Sequence, residues 1–484
     1  MDVQVLILLI VTAVGARIAW RRGARPWAFG LCVFALLALL SLLKTTHPLV
    51  LAALAVVALG WVWRRRGSTF TTVTRWGASS RRKAGVASRL DIARSAGVLA
   101  MRRQAPVVRP SLTPPNRRAR AAQLASLAPT EVAVQLCRVG PQRVFCSPED
   151  CAALIGPPRQ GKPQELAGQI IDAPGAVLVT STRTDVLEQT GPLRARKGPV
   201  YVFNPVGLGL LKSSITFDPL TGCESPVTAA ERAADMIAAG NMDTSGDRKF
   251  WDDLARINLA ALLHAAALGD QTMMDVRQWV SNPKAHEPLI VSLLSESPEP
   301  AFEAAIAQFI NTNDRTQSSI TMTISPALAW LTHAPARAAA HSGSKGGHPF
   351  DVADLRSTRA SVYMLGGTEA QVAPLVAALT GHIARQARQL ATAQPGGRLD
   401  PPLSLRLDEA ALICPIPLHE WSADMGGRGV SIVACFQSRA QIIDRYGPAK
   451  AATILNNAGG IVLYGGTTDR DDLQFWSTLA GERG

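Results

Sequence analysis

The stretch CAALIGPPRQGKPQELAGQII, residues 151–171, decides the fold. Its apolar start, CAALI, predicts a buried strand, and the segment ELAGQII predicts a helix. Between them, Gly156 and the pair Gly161-Lys162 have the spacing G-x-x-x-x-G-K of a phosphate-binding loop. Strand, loop and helix in this order are the setting that the motif requires, so the stretch predicts an α/β domain that binds a nucleoside triphosphate.

The loop itself supplies the candidate nucleotide-binding residues. In such a loop the backbone amides point at the phosphates, the lysine neutralises their charge, and the helix N-terminus adds its dipole. The candidates are Gly156, Pro157, Pro158, Arg159, Gln160, Gly161, Lys162, Pro163 and Gln164. We therefore expect ATP, with Mg²⁺, as the ligand.

Pro163 departs from the motif, which has Ser or Thr at this position to ligate Mg²⁺. Proline offers neither a hydroxyl nor a backbone N–H, although its fixed φ suits the first turn of a helix. The loop is thus predicted to bind nucleotide, while the efficiency of hydrolysis stays open.

Acidic and polar residues far downstream complete the predicted site. LSLRLDEAALI, 403–413, runs from an apolar strand straight into Asp408 and Glu409. At the carboxyl end of a strand, Asp408 is placed to hold Mg²⁺ through its water shell and Glu409 to polarise an attacking water. Gln437 closes the next apolar run, where it is placed to sense the γ-phosphate. Arg428, on a glycine-flanked turn, is either an arginine finger toward a neighbouring subunit or an ordinary exposed loop arginine.

Five further runs complete the α/β pattern, because they are apolar, rich in β-branched residues and bounded by Gly or Pro. They are GAVLVTS (175–181), PVYVFN (199–204), ASVYMLG (360–366), GVSIVACFQS (429–438) and GIVLYGG (460–466). Such runs predict a mostly parallel sheet. Residues 247–340 show helical periodicity instead, which predicts an all-helical insertion between the two halves of the sheet domain.

The basic residues are concentrated near the N-terminus. The chain has 484 residues and a formal net charge of +13, yet residues 64–120 hold fifteen Arg or Lys against one acid, Asp91. This distribution argues against a DNA-binding surface over the whole body. We interpret the stretch as a contact with anionic lipid headgroups rather than with a nucleic-acid backbone, because it holds few aromatic residues for stacking. Its Pro-rich end, 109–118, predicts a linker.

Three apolar runs, 3–16, 27–43 and 48–63, precede that stretch. Each is near the length of a transmembrane helix, so the sequence predicts three spans, or two with the first run at the interface. Arginines at 21–25 and 64–66 place those connectors on the cytoplasmic side, with the large domain in the cytoplasm. The seven cysteines and eight histidines form no metal-ligand pattern, and the cysteines indicate a reducing compartment.

The order of these features resembles the type IV coupling proteins of bacterial conjugation, the TraG/TraD-like branch of the FtsK/HerA superfamily. The matching motifs are GPPRQGK, the helical insertion, LDEAALICPIP, GGRG, ACFQS and ILNNAGG, and the resemblance covers about 130–484. It implies a RecA-like P-loop domain with an inserted all-α domain, preceded by N-terminal transmembrane helices. It also implies a homo-hexamer at the plasma or inner membrane that moves DNA with its relaxase toward type IV secretion channel proteins.

On this resemblance the chain divides into five parts. They are a transmembrane region (1–66), a basic juxtamembrane linker (67–130), the first part of the RecA-like domain (131–246), the all-α insertion (247–345) and the second RecA-like part (346–484). Carried over by position, 156–162 correspond to Walker A and Asp408-Glu409 to Walker B. Gln437 corresponds to the sensor glutamine and Arg428 to a candidate finger. Family members usually have two spans, whereas this sequence predicts three.

Three functions remain open at this point. The first is an ATP-driven DNA translocase, or coupling protein, of a conjugative type IV secretion system. The second is a weakened or non-hydrolysing membrane scaffold that recruits substrates through the all-α part. The third, a chromosome-segregation pump, is disfavoured because such motors carry a C-terminal DNA-reading domain and eighteen residues follow Gly466.

Overall fold

A computed structural model describes residues 87, 89–114, 116–240, 246–341, 348–367 and 370–480. The predicted membrane spans and the start of the predicted linker lie outside these residues. Among the helices that are described, none combines the length and the apolar character needed to cross a bilayer.

The centre of the molecule is a parallel sheet of seven strands in the order β11-β3-β10-β9-β4-β8-β5. Its strands are β3 (Cys151–Ile155), β4 (Val177–Ser181), β5 (Val200–Phe203), β8 (Ser361–Leu365), β9 (Leu403–Leu407), β10 (Val430–Phe436) and β11 (Ala458–Leu463). An antiparallel hairpin, β1 (Val134–Val139) and β2 (Gln142–Cys146), and a short parallel pair, β6 (Ile215–Thr216) and β7 (His348–Pro349), complete the strands. The parallel sheet predicted from the sequence is therefore present.

Both faces of the sheet are covered, which explains why its strands are almost continuously apolar. Every residue of β3, β4, β8, β9 and β10 is buried. Side chains alternate between faces: Ala153 and Ile155 join the large core that continues into the helices, whereas Ala152 and Leu154 join a smaller core on the opposite face.

Helices connect the strands and cover the sheet. Those outside the insertion are α1 (Arg89–Ser95), α2 (Val98–Val108), α3 (Arg117–Ser126), α4 (Lys162–Asp172), α5 (Asp185–Arg194), α13 (Val352–Ser357), α14 (Ala373–Thr392), α15 (Ala410–Ile413), α16 (Leu418–Asp424), α17 (Arg439–Tyr446), α18 (Pro448–Asn456) and α19 (Arg470–Leu479). Helix α4 begins at the lysine of the predicted loop, three residues earlier than the apolar pattern alone indicates.

Between β6 and β7 the described chain is helical, in agreement with the helical periodicity of this region. Its helices are α6 (Pro226–Gly240), α7 (Gly246–Leu268), α8 (Met273–Ser281), α9 (Pro283–Leu294), α10 (Pro300–Asn311), α11 (Asp314–Ile324) and α12 (Ala334–Ala340), with a 3₁₀ segment, Ser325–Thr332, before the last. Helix α6 ends against that segment, because a Cβ on Gly240 would stand 2.8 Å from the backbone nitrogen of Ala327. Only glycine permits this approach.

The segment predicted as a juxtamembrane linker is helical from residue 89 and is packed on the body. Arg109, at the end of α2, is buried and bonds Glu131 at 2.8 Å and Asp400 at 2.6 Å. Arg398 donates to the carbonyl of Val107 at 2.7 Å. The net charge of the segment did not predict these contacts, because a charge count treats every arginine as solvated. The long side chain of Arg109 instead reaches buried partners.

Candidate nucleotide-binding site

The predicted phosphate-binding loop joins β3 to α4. The amide of Gly156 donates to the carbonyl of Phe436 on β10 at 3.1 Å, which fixes the start of the loop. The loop turns through two left-handed residues, Arg159 (φ 64°) and Gly161 (φ 91°). Pro158, Arg159 and Gln160 are exposed. The loop is therefore anchored at its base and open to a ligand at its rim.

Lys162 is the first residue of α4 and is only 4% exposed. Its Nζ donates to the carbonyl of Gly156 and, at 3.4 Å, to the carbonyl of Pro157. The cation is thus held inside the curve of the loop, where the helix N-terminus also points its positive dipole. This combination favours an anion within the loop.

Pro163 occupies the first turn of α4 and is exposed. The helix forms normally around it, since the amides of Gln164 and Glu165 both donate to the carbonyl of Gly161, at 3.1 and 3.3 Å. Proline therefore removes a donor and a hydroxyl from the site without distorting the loop.

The acidic pair follows β9. The backbone of Asp408 pairs with Thr180 on β4, whose hydroxyl donates to the carbonyl of Asp408 at 3.0 Å. Asp408 is 7% exposed, and burial, reinforced by the neighbouring Glu409, raises its pKa to about 6 although the charge of Lys162 acts in the opposite sense. Lys162 and Asp408 therefore interact electrostatically across the site. A buried carboxylate beside a phosphate loop is suited to Mg²⁺, which takes one or two carboxylates together with waters and phosphate oxygens.

Glu409 has a left-handed backbone with φ 48°, which is uncommon for a residue with a side chain and turns the chain sharply into α15. Its Oε2 accepts a hydrogen bond from Nε2 of Gln437 at 3.1 Å. The backbone N–H of Gln437 donates to Oε1 of Gln441 on α17 at 2.8 Å. Glu409 and Gln437 are thus oriented as a pair.

Sheet order explains why these distant segments meet. Strand β10 lies between β3 and β9, with Phe436 opposite Ile155 and Ala434 opposite Leu407. The residues that follow the three strands therefore emerge side by side at the carboxyl edge of the sheet, where parallel α/β folds place their ligands. The structure brings together the phosphate loop, Asp408, Glu409 and Gln437.

Arg428 lies elsewhere. It ends a 3₁₀ turn that precedes β10, so it lies at the amino edge of the sheet, the opposite edge from the phosphate loop. Its carbonyl accepts from the amide of Leu399 at 2.9 Å, and its Nε is 3.8 Å from Oδ1 of Asp424. Within one chain, Arg428 does not reach the nucleotide site.

Two further loops contribute to the carboxyl edge, and the sequence did not predict that they lie at the site. After β4, Asp185 contributes to the raised pKa of Asp408, and Arg183 bonds Asp185 at 3.1 Å. After β11, a Cβ on Gly466 would stand 3.2 Å from atoms of both Pro157 and Gln160. The only signal in the sequence was a run of polar or small residues after each predicted strand.

The described part of the chain contains no cluster of three or more His, Cys, Asp or Glu side chains placed to hold a metal. Its six cysteines are free thiols, five of them buried. Any divalent cation at the site therefore depends on phosphate oxygens and water in addition to the carboxylate of Asp408.

Residues 402–484 match a sequence family described as the TraM recognition site of TraD and TraG. The fold resembles that of the bacterial conjugative coupling protein TrwBdeltaN70 in its unbound monoclinic form, with a TM-score of 0.50 and 16% identity over 72% of this chain and 76% of that one. The chain therefore resembles the conjugative coupling proteins in two respects, in the sequence of residues 402–484 and in its fold.

A second coupling-protein structure, TrwB in complex with ADP and Mg²⁺, also matches with a TM-score of 0.50. Its identity is 14%, over 69% of this chain and 75% of that one. Among curated proteins, no sequence matches the chain. The resemblance to coupling proteins predicted from the motifs is thus confirmed, and the α/β fold with its parallel sheet is shared with TrwB.

Proposed function

We propose that this chain is a membrane-anchored, ATP-driven DNA translocase that delivers DNA, with its relaxase, to a conjugative type IV secretion channel. The observation that carries the proposal is the convergence of the phosphate loop, Asp408, Glu409 and Gln437 at the ends of three adjacent strands. The related TrwB structure that holds ADP and Mg²⁺ supports ATP and Mg²⁺ as the ligands.

Each residue has a defined task in the proposed site. The amides of the loop and Lys162 bind the phosphates, and Asp408 holds Mg²⁺ through its water shell. Glu409 accepts a proton from, or polarises, the attacking water, and Gln437 keeps its carboxylate in position. ATP, when bound, supplies the phosphoanhydride whose cleavage drives movement.

Membrane anchoring, a homo-hexameric ring and a cytoplasmic orientation of the large domain are parts of the same proposal. They rest on the apolar runs before residue 64, on the arginine distribution and on the resemblance to coupling proteins. The description of the family matched by 402–484 points to partner recognition in this region. Leu473 and Leu479 on α19 are exposed there and available to a protein of the DNA-processing complex.

Measurement of ATP hydrolysis by the full chain in lipid nanodiscs, with and without DNA, tests the proposal. We expect DNA to stimulate turnover. Lys162→Ala should abolish both nucleotide binding and turnover, whereas Glu409→Gln should abolish turnover and leave binding intact. Stimulation of Glu409→Gln equal to that of the wild type would contradict the assignment.

A second function is favoured by one specific residue, Pro163. A chain that binds nucleotide without hydrolysing it would serve as a membrane scaffold that recruits secretion substrates through the helical insertion. That function predicts no turnover by the wild type at any DNA concentration, with turnover appearing in Pro163→Thr. The same assay therefore separates the two functions.

A further inference from the structure

The first two helices of the described chain expose an unusual pattern of side chains. On α2, Leu99, Arg103 and Val107 follow one another at intervals of four residues, so they form one stripe along the helix. Leu99 is 67% exposed and Val107 57% exposed. On α1, Leu90 and Arg94 repeat the same spacing, and Leu90 is also 67% exposed.

Helix α2 is packed on the body by its other side. Met101, Ala105 and Val108, on the opposite face of α2, are buried. The amide of Phe145 on β2 donates to the carbonyl of Ala96, between the two helices, at 2.9 Å. Leu99 and Val107 therefore belong to a packed helix and are held in solvent by the fold. Helix α1, which has no buried residue, is joined to the body through the hydrogen-bonded turn that follows it.

We propose that the exposed stripe of α1 and α2, formed by Leu90, Arg94, Leu99, Arg103 and Val107, rests on the surface of an anionic lipid bilayer. Helices in the bilayer interface bury apolar side chains at the acyl boundary and keep arginines at the headgroups. The long side chain of an arginine reaches the headgroups from beside a buried leucine. The leucines enter the boundary of the acyl chains, and the arginines contact the phosphates of the headgroups. This inference rests on the membrane anchoring proposed above.

Two observations favour a bilayer over other occupants. The three apolar runs predicted to span a membrane end at residue 63, and the 25 residues that separate them from α1 carry seven Arg or Lys and no acid. Residues 89–126 carry eight arginines against the single acid Asp91, which complements an anionic surface. A symmetric contact with a second copy would instead place this stripe against another that carries the same two arginines and no acidic residue, at a cost in like-charge repulsion.

The phosphates of a nucleic acid would pair with the arginines of the stripe but not with its apolar side chains. They offer nothing to Leu90, Leu99 and Val107, and the described helices α1 and α2 contain no aromatic side chain on which a base could stack. A lipid bilayer satisfies both the apolar and the basic members of the stripe.

The test uses the full chain in nanodiscs that contain phosphatidylglycerol. A fluorophore on Leu99→Cys is compared with the same fluorophore on Met322→Cys, a 72% exposed position on α11 of the helical insertion. Both are made in a chain with Cys32→Ala and Cys137→Ser, since the other five cysteines are buried. A quencher attached near the headgroup end of the acyl chains reports contact with lipid.

We expect quenching at position 99 to exceed that at position 322 by about twofold or more, because only the former enters the interface. Arg103→Glu should lower the equilibrium ratio of quenched to unquenched fluorophore at position 99 by about fivefold in anionic discs and by much less in zwitterionic ones. Neither substitution touches the nucleotide site, so nucleotide binding should stay unchanged.

The remaining outcomes overturn the inference in distinguishable ways. A chain that is retained in the discs but shows no quenching at position 99 leaves membrane anchoring intact and rejects the lipid contact. A chain that is not retained in the discs rejects the anchoring itself. Cross-linking between copies through position 99 assigns the stripe to a second copy, and a fluorescence change on addition of DNA, with no dependence on lipid, assigns it to nucleic acid.

Discussion

The side chain of Gln437 donates a hydrogen bond of 3.1 Å to Glu409. The two residues follow the neighbouring strands β10 and β9, and 23 positions separate the end of β9 from the start of β10 in the sequence. The contact joins the residue proposed to sense the γ-phosphate to the residue proposed to polarise water. The backbone N–H of Gln437 donates to Oε1 of Gln441 at 2.8 Å, which fixes the backbone from which the Gln437 side chain supports the carboxylate.

Removal of that support should slow the chemical step. We expect Gln437→Ala to lower kcat of ATP hydrolysis by about a hundredfold with little change in nucleotide affinity, because the side chain orients a catalytic group. Steady-state hydrolysis and nucleotide titration measure the two effects. Gln389→Ala, at an exposed position of α14, is the control and should behave as wild type. A loss of affinity as large as the loss of kcat would assign Gln437 to binding instead.

Pro163 gives a second prediction. Pro163→Thr restores both an amide and a hydroxyl, so we expect Mg²⁺-dependent affinity for ATP to rise about ten- to a hundredfold, as one charge-assisted hydrogen bond allows. Pro163→Gly restores only the amide, and its affinity should rise less. Calorimetric titration with Mg²⁺ and with EDTA separates the two contributions.

Pro300→Thr, at an exposed position in the first turn of α10 in the helical insertion, is the control for this series. Equal affinities of the wild type, Pro163→Gly and Pro163→Thr would show that neither the amide nor the hydroxyl is used at this position.

The elements of the sheet were predictable because burial on both faces leaves a strong local pattern. CAALI and VSIVACF are almost continuously apolar, whereas LSLRL alternates leucine with a serine and an arginine, and each follows or precedes a turn residue. The positions of Asp408, Glu409 and Gln437 after strands, and of Lys162 at the end of the loop that follows CAALI, were predictable from that pattern. Strand order did not, since no local pattern states that β10 lies between β3 and β9.

The parts that were not predictable depend on contacts distant in sequence. In the sequence, Arg109 is indistinguishable from the solvated arginines of a basic segment. Its hydrogen bond to Asp400, 291 positions away, is a tertiary contact that the sequence pattern does not indicate. Asp185 contributes to the site only because β4 lies next to β9. Both features depend on tertiary contacts between segments distant in the chain, and the local pattern of a single sequence does not predict such contacts.

The raised pKa of Asp408 predicts a conflict between stability and function. Its pKa is about 6 in the folded chain and 3.8 when unperturbed, so the folded state binds the proton more tightly. The stability contributed by the protonated group is fully present below pH 4 and is lost as the pH rises through 6. Above pH 7, the ionised carboxylate costs about 2–3 kcal/mol in the ligand-free chain.

Asp408→Asn should therefore raise the thermal stability of the ligand-free chain at pH 8 and have little effect near pH 4. The same variant should lose the stabilisation that Mg²⁺ with ATP gives to the wild type, because the amide is a poor ligand for Mg²⁺. Thermal unfolding at both pH values, with and without Mg²⁺ and ATP, measures these effects. A variant less stable than wild type at pH 8 without ligand would show that the buried carboxylate is stabilising.

The ion pairs of Arg109 predict that residues 89–126 are part of the folded body. Arg109→Met leaves the carboxylates of Asp400 and Glu131 without their partner, and we expect a loss of about 3 kcal/mol in the free energy of unfolding. Arg118→Met, at an exposed position of α3, should have almost no effect. Denaturant unfolding compares the two variants, and limited proteolysis shows whether α1 to α3 detach. Equal stability of both variants would mean that these helices are held by apolar contacts alone.

The position of Arg428 separates two roles that the sequence left open. The seven residues of β10 put about 23 Å between Arg428 and the carboxyl edge, so we expect Arg428→Ala to leave the nucleotide affinity of an isolated chain unchanged. An arginine finger acts on the neighbour's nucleotide, so turnover should fall only in the assembled ring. Mixing Arg428→Ala chains with Lys162→Ala chains should then restore part of the activity, since some interfaces pair an intact loop with an intact arginine. Wild-type turnover by the assembled Arg428→Ala chain would show that this residue is an ordinary exposed arginine.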